Sequence, residues 1–457
     1  MLHAMACGMP HEKISHHLLL YLLYCAPFNY STTTTPVGIL FRLLPGCPLG
    51  PLSESIFTFK SKMRRQWIIA LPLSTLPLCR LLSCPQGVLG LAATGTPPKQ
   101  KVCVIGGTHG NEYTGIWCIK AIQENKDLQD QLAHDFPSLD ISTVFANPPA
   151  HLANKRFLDR DLNRAFSVDD LYSNNNDDND KGDWETQRAR ELDQLLGPKS
   201  ADTPAVDVAV DLHSTTCNMG TTLIFPEQDV VMAQAAAYIL ARMPSKANAR
   251  ILVEPLPPQP YRPNVGSCAK HDFTIEVGPC PQGVLRHDAV ENTQTALHYF
   301  FEFLHRRNQD SEQVYRDLGN DFRLVMQIVK GSYQIPCFRT APADDPVMSL
   351  ENGAMTGKIG WPSDPDNDNF PMYMVHKDVQ DKDFEPLRVG DPLFVRQDNG
   401  ETIVYDGSHG PVVHLIFVNE AGYYYASSGT GLGVAYPGWL DLQTGNLVEE
   451  LKSSSYR

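Results

Sequence analysis

The chain has 457 residues, 42% of them hydrophobic and 20% charged, and carries a formal net charge of −14. That length accommodates two or three domains, and the composition is that of an ordinary globular protein. The negative balance excludes a nucleic-acid partner, which requires a concentrated basic surface.

The charge is unevenly spread. Residues 1–100 hold eight Lys or Arg against only Glu12 and Glu54, so the remainder is more acidic than the total implies. This region mixes the apolar run Leu18 to Cys25, the Thr32 to Thr35 tract and Met63-Arg-Arg-Gln-Trp-Ile-Ile-Ala-Leu-Pro-Leu. The first run is too short to cross a bilayer, which takes about 20 residues, and Pro72 and Pro77 interrupt the second, so no stable membrane insertion is expected. Read from Met63, a basic start before an apolar stretch looks like a targeting peptide. Read from Met1, the acid-poor, Ser/Thr-rich composition looks like a transit segment, and an untranslated or mispredicted extension fits equally well. Residues 1–100 are therefore expected to be an N-terminal extension without chemistry. Five of the eleven cysteines lie there, and the other six show no Cys-x-x-Cys spacing. Reduced, packed thiols and a cytoplasmic location are the expectation, with organelle targeting as the alternative if the extension is a real transit segment.

From residue 101 strands and helices alternate. Residues 102–105 read as a buried strand ending at Gly106-Gly107, followed by a helix over 116–123 and a strand over 141–146. The polar run 173–183 is expected to be a disordered insert. A helix over 186–196 stops at Gly197-Pro198; a strand over 206–212, an Ala-rich helix over 230–243, a strand over 273–277 and a long amphipathic helix over 289–307 follow. This alternation predicts an α/β fold with a mixed, mostly parallel sheet flanked by helices, whose ligands gather at strand carboxyl ends. Beyond residue 318, short β-type runs (323–330, 393–396, 403–405, 412–418) between Gly, Pro and Asp turns predict a smaller β-rich domain. Asp364 to Asp368 lacks the Gly and distant Glu of a calcium loop and reads as a solvated turn. The expected domains are 101–317, carrying the chemistry, and 318–452, capping it.

Four fragments carry candidate chemistry. Gly106-Gly-Thr-His-Gly-Asn-Glu112 places an imidazole, His109, and a carboxylate, Glu112, three positions apart on a glycine turn. His213 likewise ends an apolar strand, so both sites can converge on one rim of the sheet. Two His and one Glu leave a fourth position on a zinc ion open for water, the hydrolytic arrangement. Asp211 lies on the same strand face as His213 and can orient an imidazole from behind. Glu276 interrupts the apolar run Phe273 to Val277, where burial would raise its pKa toward that of a general base. An edge-strand Glu facing solvent is the alternative. Lys155 to Arg164 gathers guanidinium and amide groups that can hold a carboxylate, and Arg156 can polarise a carbonyl. A solvated loop with local Asp–Arg pairs is the alternative there.

Together these fragments resemble the aspartoacylase and succinylglutamate desuccinylase family, whose catalytic domain is similar to that of zinc carboxypeptidases. Besides the segments above, the matching motifs are Asp161-Leu-Asn-Arg164, Arg188-Ala-Arg-Glu-Leu, Leu196-Gly-Pro-Lys199, Asp211-Leu-His213, Asn218-Met-Gly220, Glu276-Val-Gly-Pro and Pro281-Gln-Gly-Val-Leu-Arg286. In the β-rich part Gln380-Asp-Lys-Asp-Phe-Glu-Pro-Leu, Gly390-Asp-Pro and Phe417-Val-Asn-Glu-Ala also match. The resemblance covers about residues 101 to 430, in order. It implies His109, Glu112 and His213 as ligands of one Zn2+ per subunit, Glu276 as general acid/base and Arg156 as the group that polarises the scissile carbonyl. Asn163 and Arg164 would read the substrate carboxylate, and Tyr423 would reach the pocket from the C-terminal domain. The implied reaction is hydrolysis of a small-molecule N-acyl amino acid to a carboxylate and a free amino acid; a homo-oligomer stays open. One position departs from the pattern. Aspartoacylases carry an arginine ten residues before the catalytic Glu; here Gly266 stands there, with Arg262 nearby as a substitute through a loop shift. Without it the pocket would suit less acidic substrates, as in the related N-acyl-aromatic-amino-acid aminoacylase. A peptidase of the same fold and a non-catalytic zinc-binding scaffold are the competing readings.

Overall fold

The structure is a computed structural model that describes residues 98–172, 183–322, 326–329, 331–341, 358–359, 363–364, 370–424 and 432–448. The expected extension up to residue 97, nearly all of the insert (173–182) and most of the 364–368 turn lie outside the described residues. The described residues form one compact unit.

Six strands build the first part of the sheet: β1 (Gln100–Gly106), β2 (Leu139–Phe145), β3 (Val208–Ser214), β4 (Gly220–Pro226), β5 (Arg250–Glu254) and β6 (His271–Gly278). Their spatial order is β2-β1-β3-β6-β4-β5. All neighbours are parallel except β4 and β6. From β5 the sheet continues into Ser332–Thr340, Leu432–Asp441, Val412–Ile416 and Pro386–Arg388. The expected α/β architecture, mixed and mostly parallel in its first part, is therefore present with a β-rich C-terminal part. A three-stranded sheet (Tyr373–Val375, Pro392–Arg396, Thr402–Val404) adds to the latter around a cluster with Leu393, Phe394 and Tyr405.

Alternation along the strands sorts the side chains by face. Val102, Val104, Val210, Leu212, Phe273 and Ile275 pack against helices Tyr113–Glu124, Val230–Arg242 and His287–Gln309 in the main core. Cys103, Ile105 and Ala209 face the other way, where helix Trp184–Leu196 contributes Ala189, Leu192 and Leu196. Local sequence sets the helix ends: Asp183 accepts a hydrogen bond from Thr186 N and Asp229 from Val231 N and Met232 N, both N-caps. All six described cysteines are free and buried, as reduced packed thiols require. Among the described residues no helix is long and apolar enough to cross a membrane.

Several elements depart from the periodicity reading. β4 and β5 are additional strands, and helix Lys126–Asp135 buries no residue, so no apolar stripe marks it; Asn125 caps it by accepting from Leu128 N. Helix Ser311–Asp321 spans the expected boundary at 317/318.

Phe273 is fully buried and stacks on Phe300 at 4.8 Å between ring centroids. Phe273→Ala should therefore cost about 3–5 kcal/mol in chemical denaturation. A loss under about 1 kcal/mol would show that the core does not pivot on this strand.

Candidate active site

β1 ends in a turn that only glycine permits at two places. Gly107 has φ +72°, and a Cβ at Gly110 would lie 2.2 Å from His151 N. The turn carries His109 and Glu112 to the rim where β3 ends. Register does the rest: His213 on β3 lies opposite Glu276 on β6, and Asp211 opposite Thr274.

Glu112 is the hub. Its Oε1 lies 2.6 Å from His109 Nδ1 and its Oε2 2.9 Å from His213 Nδ1, while Ser214 N donates to Oε2 at 3.0 Å. Behind each imidazole stands a carboxylate: His109 Nε2 is 3.1 Å from Asp161 Oδ1, and His213 Nε2 is 2.6 Å from Asp211 Oδ2. Each ring thus lies between two carboxylates, the outer one fixing the ring so that Nδ1 faces Glu112. Asp211 thus stands behind the His213 ring, with Thr108 Oγ1 donating to its other oxygen at 2.8 Å.

Burial opposes ionisation of Glu112, yet His109 and His213 hold its carboxyl far below the usual range. Burial likewise disfavours charge on His213, but Asp211 and Glu112 raise it well above an ordinary imidazole. Asp161 is held well below its ordinary value by His109 and Arg156 against its own burial. The shifts of Glu112 and Asp161 express the positive charge facing them, and that of His213 the carboxylates on either side of it. With both imidazoles neutral, three carboxylates (Glu112, Asp161, Asp211) against the Arg156 guanidinium leave two negative charges, which a divalent cation would neutralise. The potential ligand atoms of His109, Glu112 and His213, all buried, lie within 4.8 Å of one another. The donor set therefore fits a metal ion.

Arg156 donates from Nε and Nη2 to Asp161 Oδ2, both at 3.2 Å, and from Nη1 to Glu112 Oε1 at 3.3 Å. Two of its five N–H groups remain. Asn163 and Arg164 follow in the Leu162–Arg164 turn, whose start Asp161 caps by accepting from Asn163 N. Arg164 is exposed, and Asn163 Oδ1 accepts from Val265 N at 3.0 Å.

Glu276 is 8% exposed and makes no hydrogen bond or ion pair through its carboxyl among the described residues. Burial drives it well above its ordinary value; His213 opposes the rise, and Glu112 and Glu420 add to it. The edge-strand alternative is ruled out, since β3 and β4 flank β6 on both sides.

The C-terminal part closes this rim. Glu420, 5% exposed, accepts from the Thr215 hydroxyl, from Thr216 N at 3.0 Å and from Gly422 N at 2.9 Å. A Cβ at Gly422 would lie 2.8 Å from Arg156 Nη1, so the loop seats directly on the guanidinium. Tyr423 follows, half-buried, its hydroxyl kept neutral by desolvation and by Glu420.

The structure thus gathers His109, Glu112, His213, Arg156, Asn163, Arg164, Glu276 and Tyr423. Arg262 stands apart. Its Nε donates to Pro257 O at 2.9 Å, and the charges it meets are Asp272, Asp229 and Glu254. Beside it, a Cβ on Gly266 would fall 1.8 Å from Asp272 Oδ1, so a buried carboxylate fills the space that any side chain here would need. Sequence reasoning missed Asp161 and Glu420. Each stood inside a quoted motif, but only the fold reveals that one backs a ligand imidazole and the other clasps the loop after His213.

Comparison with known proteins agrees with this geometry. Residues 98–304 match the succinylglutamate desuccinylase/aspartoacylase catalytic domain, and residues 355–430 the AstE/AspA barrel-sandwich hybrid domain. A probable aspartoacylase from Nostoc sp. is 32% identical over 71% of this chain and 92% of its own length. The mouse N-acyl-aromatic-L-amino acid amidohydrolase (carboxylate-forming) is 33% identical over 72% and 88%. The crystal structure of murine aminoacylase 3 superposes with a TM-score of 0.59 at 29% identity, covering 78% of this chain and all of that one. The chain belongs to the succinylglutamate desuccinylase/aspartoacylase family.

Two outcomes follow. Asp211→Asn should weaken metal binding about 10–100-fold in a chelator competition, as expected when a ligand loses its orienting carboxylate; unchanged affinity would remove Asp211 from the site. Gly266→Arg should lower stability by about 1–3 kcal/mol through collision with Asp272, read as a shifted denaturation midpoint.

Proposed function

Taking membership of that family as the premise, we propose that the protein is a zinc-dependent amidohydrolase that deacylates N-acyl amino acids. The observation that carries the reading is the buried His109–Glu112–His213 group next to a partner-free Glu276 on the same sheet face. Bound by these three side chains, zinc would supply Lewis-acid polarisation and a lowered pKa for water.

The chain's own groups divide the remaining work. Arg164 and Asn163 hold the substrate carboxylate, the planar guanidinium matching its two oxygens. Arg156, rigidly tied to Asp161 and Glu112, directs its free N–H groups at the acyl oxygen, where negative charge develops. Tyr423 and the Glu420 loop exclude bulk water. Glu276 removes a proton from the attacking water; the oxygen adds to the acyl carbon, and the C–N bond breaks. The same carboxyl then returns the proton to the leaving nitrogen, yielding a carboxylate and a free amino acid. In this reading residues 101–317 carry the reaction and 318–452 cap it, which excludes long peptide substrates.

The side-chain preference follows from the neighbourhood of Gly266. Burial pushes Asp272 up to about 6 and Glu254 to about 7, with the positive charge of Arg262 opposing both. Arg262, its Nε given to Pro257 O and its charge facing these acids, does not replace the arginine of aspartoacylases in this reading. The pocket suits an uncharged side chain, as in the N-acyl-aromatic relatives.

Glu276→Gln should lower kcat about 10²–10⁴-fold while zinc content persists. Full activity in that variant would sink the mechanism, and absence of hydrolysis by the unmodified protein with zinc bound would favour a scaffold. On substrates, kcat/KM for N-acetyl-tyrosine should exceed that for N-acetylaspartate; the reverse order would return Arg262, or another cation, to the pocket.

A further inference from the structure

Two motifs singled out in the sequence, Asn218-Met-Gly220 and Gln380-Asp-Lys-Asp-Phe-Glu-Pro-Leu, take no part in the chemistry above, yet they meet beside it. Asp383, 5% exposed, lies at their junction. Its Oδ2 accepts from Asn218 N at 3.0 Å and its Oδ1 from Val418 N at 2.9 Å. Asn218 belongs to the loop leaving β3 just after His213. Val418 precedes Glu420 by two residues and Tyr423 by five. One carboxylate therefore ties the segment that leaves the metal-ligand strand to the segment that delivers the capping residues.

The backbone shows why such a tie is needed. Among the described residues seven other than glycine have positive φ, and four of them sit in these two C-terminal segments: Asp381 (59°), Phe384 (64°), Phe417 (54°) and Asn419 (64°). A left-handed conformation costs an ordinary residue about 1–2 kcal/mol. Phe384 and Phe417, with bulky side chains, hold it only where surrounding contacts over-determine the turn. Those contacts converge here: Phe384 N donates to Leu415 O at 2.7 Å, Phe417 N to Met219 Sδ at 3.4 Å, and Asn218 Nδ2 to Asp381 O at 2.9 Å. Among the described residues no ion pair reaches Asp383, and each oxygen serves a main-chain N–H across the junction.

We propose that Asp383 is a positioning residue, whose carboxylate fixes the left-handed Phe417–Asn419 turn against the Asn218 loop and thereby sets Glu420 and Tyr423 over the pocket. The link to substrate binding rests on the amidohydrolase reading; the link to the turn does not.

Asp383→Asn is nearly isosteric and turns one acceptor into a donor facing a main-chain N–H. On the full chain, hydrogen exchange of peptides spanning 417–424 should quicken while 208–214 stays as in the unmodified protein. For an N-acyl amino acid that the enzyme accepts, KM should rise about tenfold with kcat changed less than about threefold and metal content constant, a loss of binding near 1.4 kcal/mol. In a Tyr423→Phe background the same substitution should raise KM less than about threefold, because both changes act through one loop. Should Asp383→Asn not fold, Asp383→Ser, which keeps one acceptor, gives the same pattern at smaller amplitude. Unaltered exchange at 417–424, or KM effects that multiply independently in the double variant, would overturn the proposal. If the unmodified protein hydrolyses no N-acyl amino acid, the amidohydrolase reading falls, and the exchange measurement still decides the role of Asp383.

Discussion

A carboxylate cannot stay ionised away from water without compensation, and Glu112 is organised around that requirement. Two imidazoles, the Arg156 guanidinium and Ser214 N all turn toward it. To bring them together the chain must end β1 in a glycine turn, end β3 beside it and fold the 156–164 loop over both. The orienting carboxylates, Asp161 and Asp211, then fix which nitrogen of each ring faces inward. Remove Glu112 and the remaining groups have no common focus.

Much of this was legible in the residues. Apolar runs interrupted by Gly-Gly or by His marked strand ends, and an acid at Glu276 within Phe273 to Val277 marked a buried carboxyl. Periodicity was silent where burial was absent or the run short. Helix Lys126–Asp135 lies on the surface and has no buried stripe. β5 is only five residues long, whereas β4 is as long as β1 and wholly buried but enters antiparallel, which an alternating strand–helix pattern does not predict. Asp161 and Glu420 were unreadable for another reason. A carboxylate in a loop declares its role only once its partner, 52 residues away for His109 and 205 for Thr215, is placed beside it.

The same contrast separates chemistry from preference. The candidate metal ligands are spelled out by residue types at strand ends, whereas the surroundings of Gly266 depend on volume. At Gly266 the informative fact is that the Asp272 carboxylate already occupies the neighbouring space. A glycine there reads in sequence as the loss of an arginine; in the fold it reads as room conceded to an acid.

The sheet runs without a break from β5 into Ser332–Thr340, with Leu252 opposite Phe338 and Val253 opposite Arg339. The C-terminal part is therefore bonded into the catalytic sheet as well as resting on its rim. It cannot swing away as a hinged lid without tearing main-chain hydrogen bonds. A fragment ending before Ser332 would leave β5 as a raw sheet edge, a template for intermolecular pairing and aggregation. The C-terminal strands thus cover an edge that the first six strands would otherwise leave open.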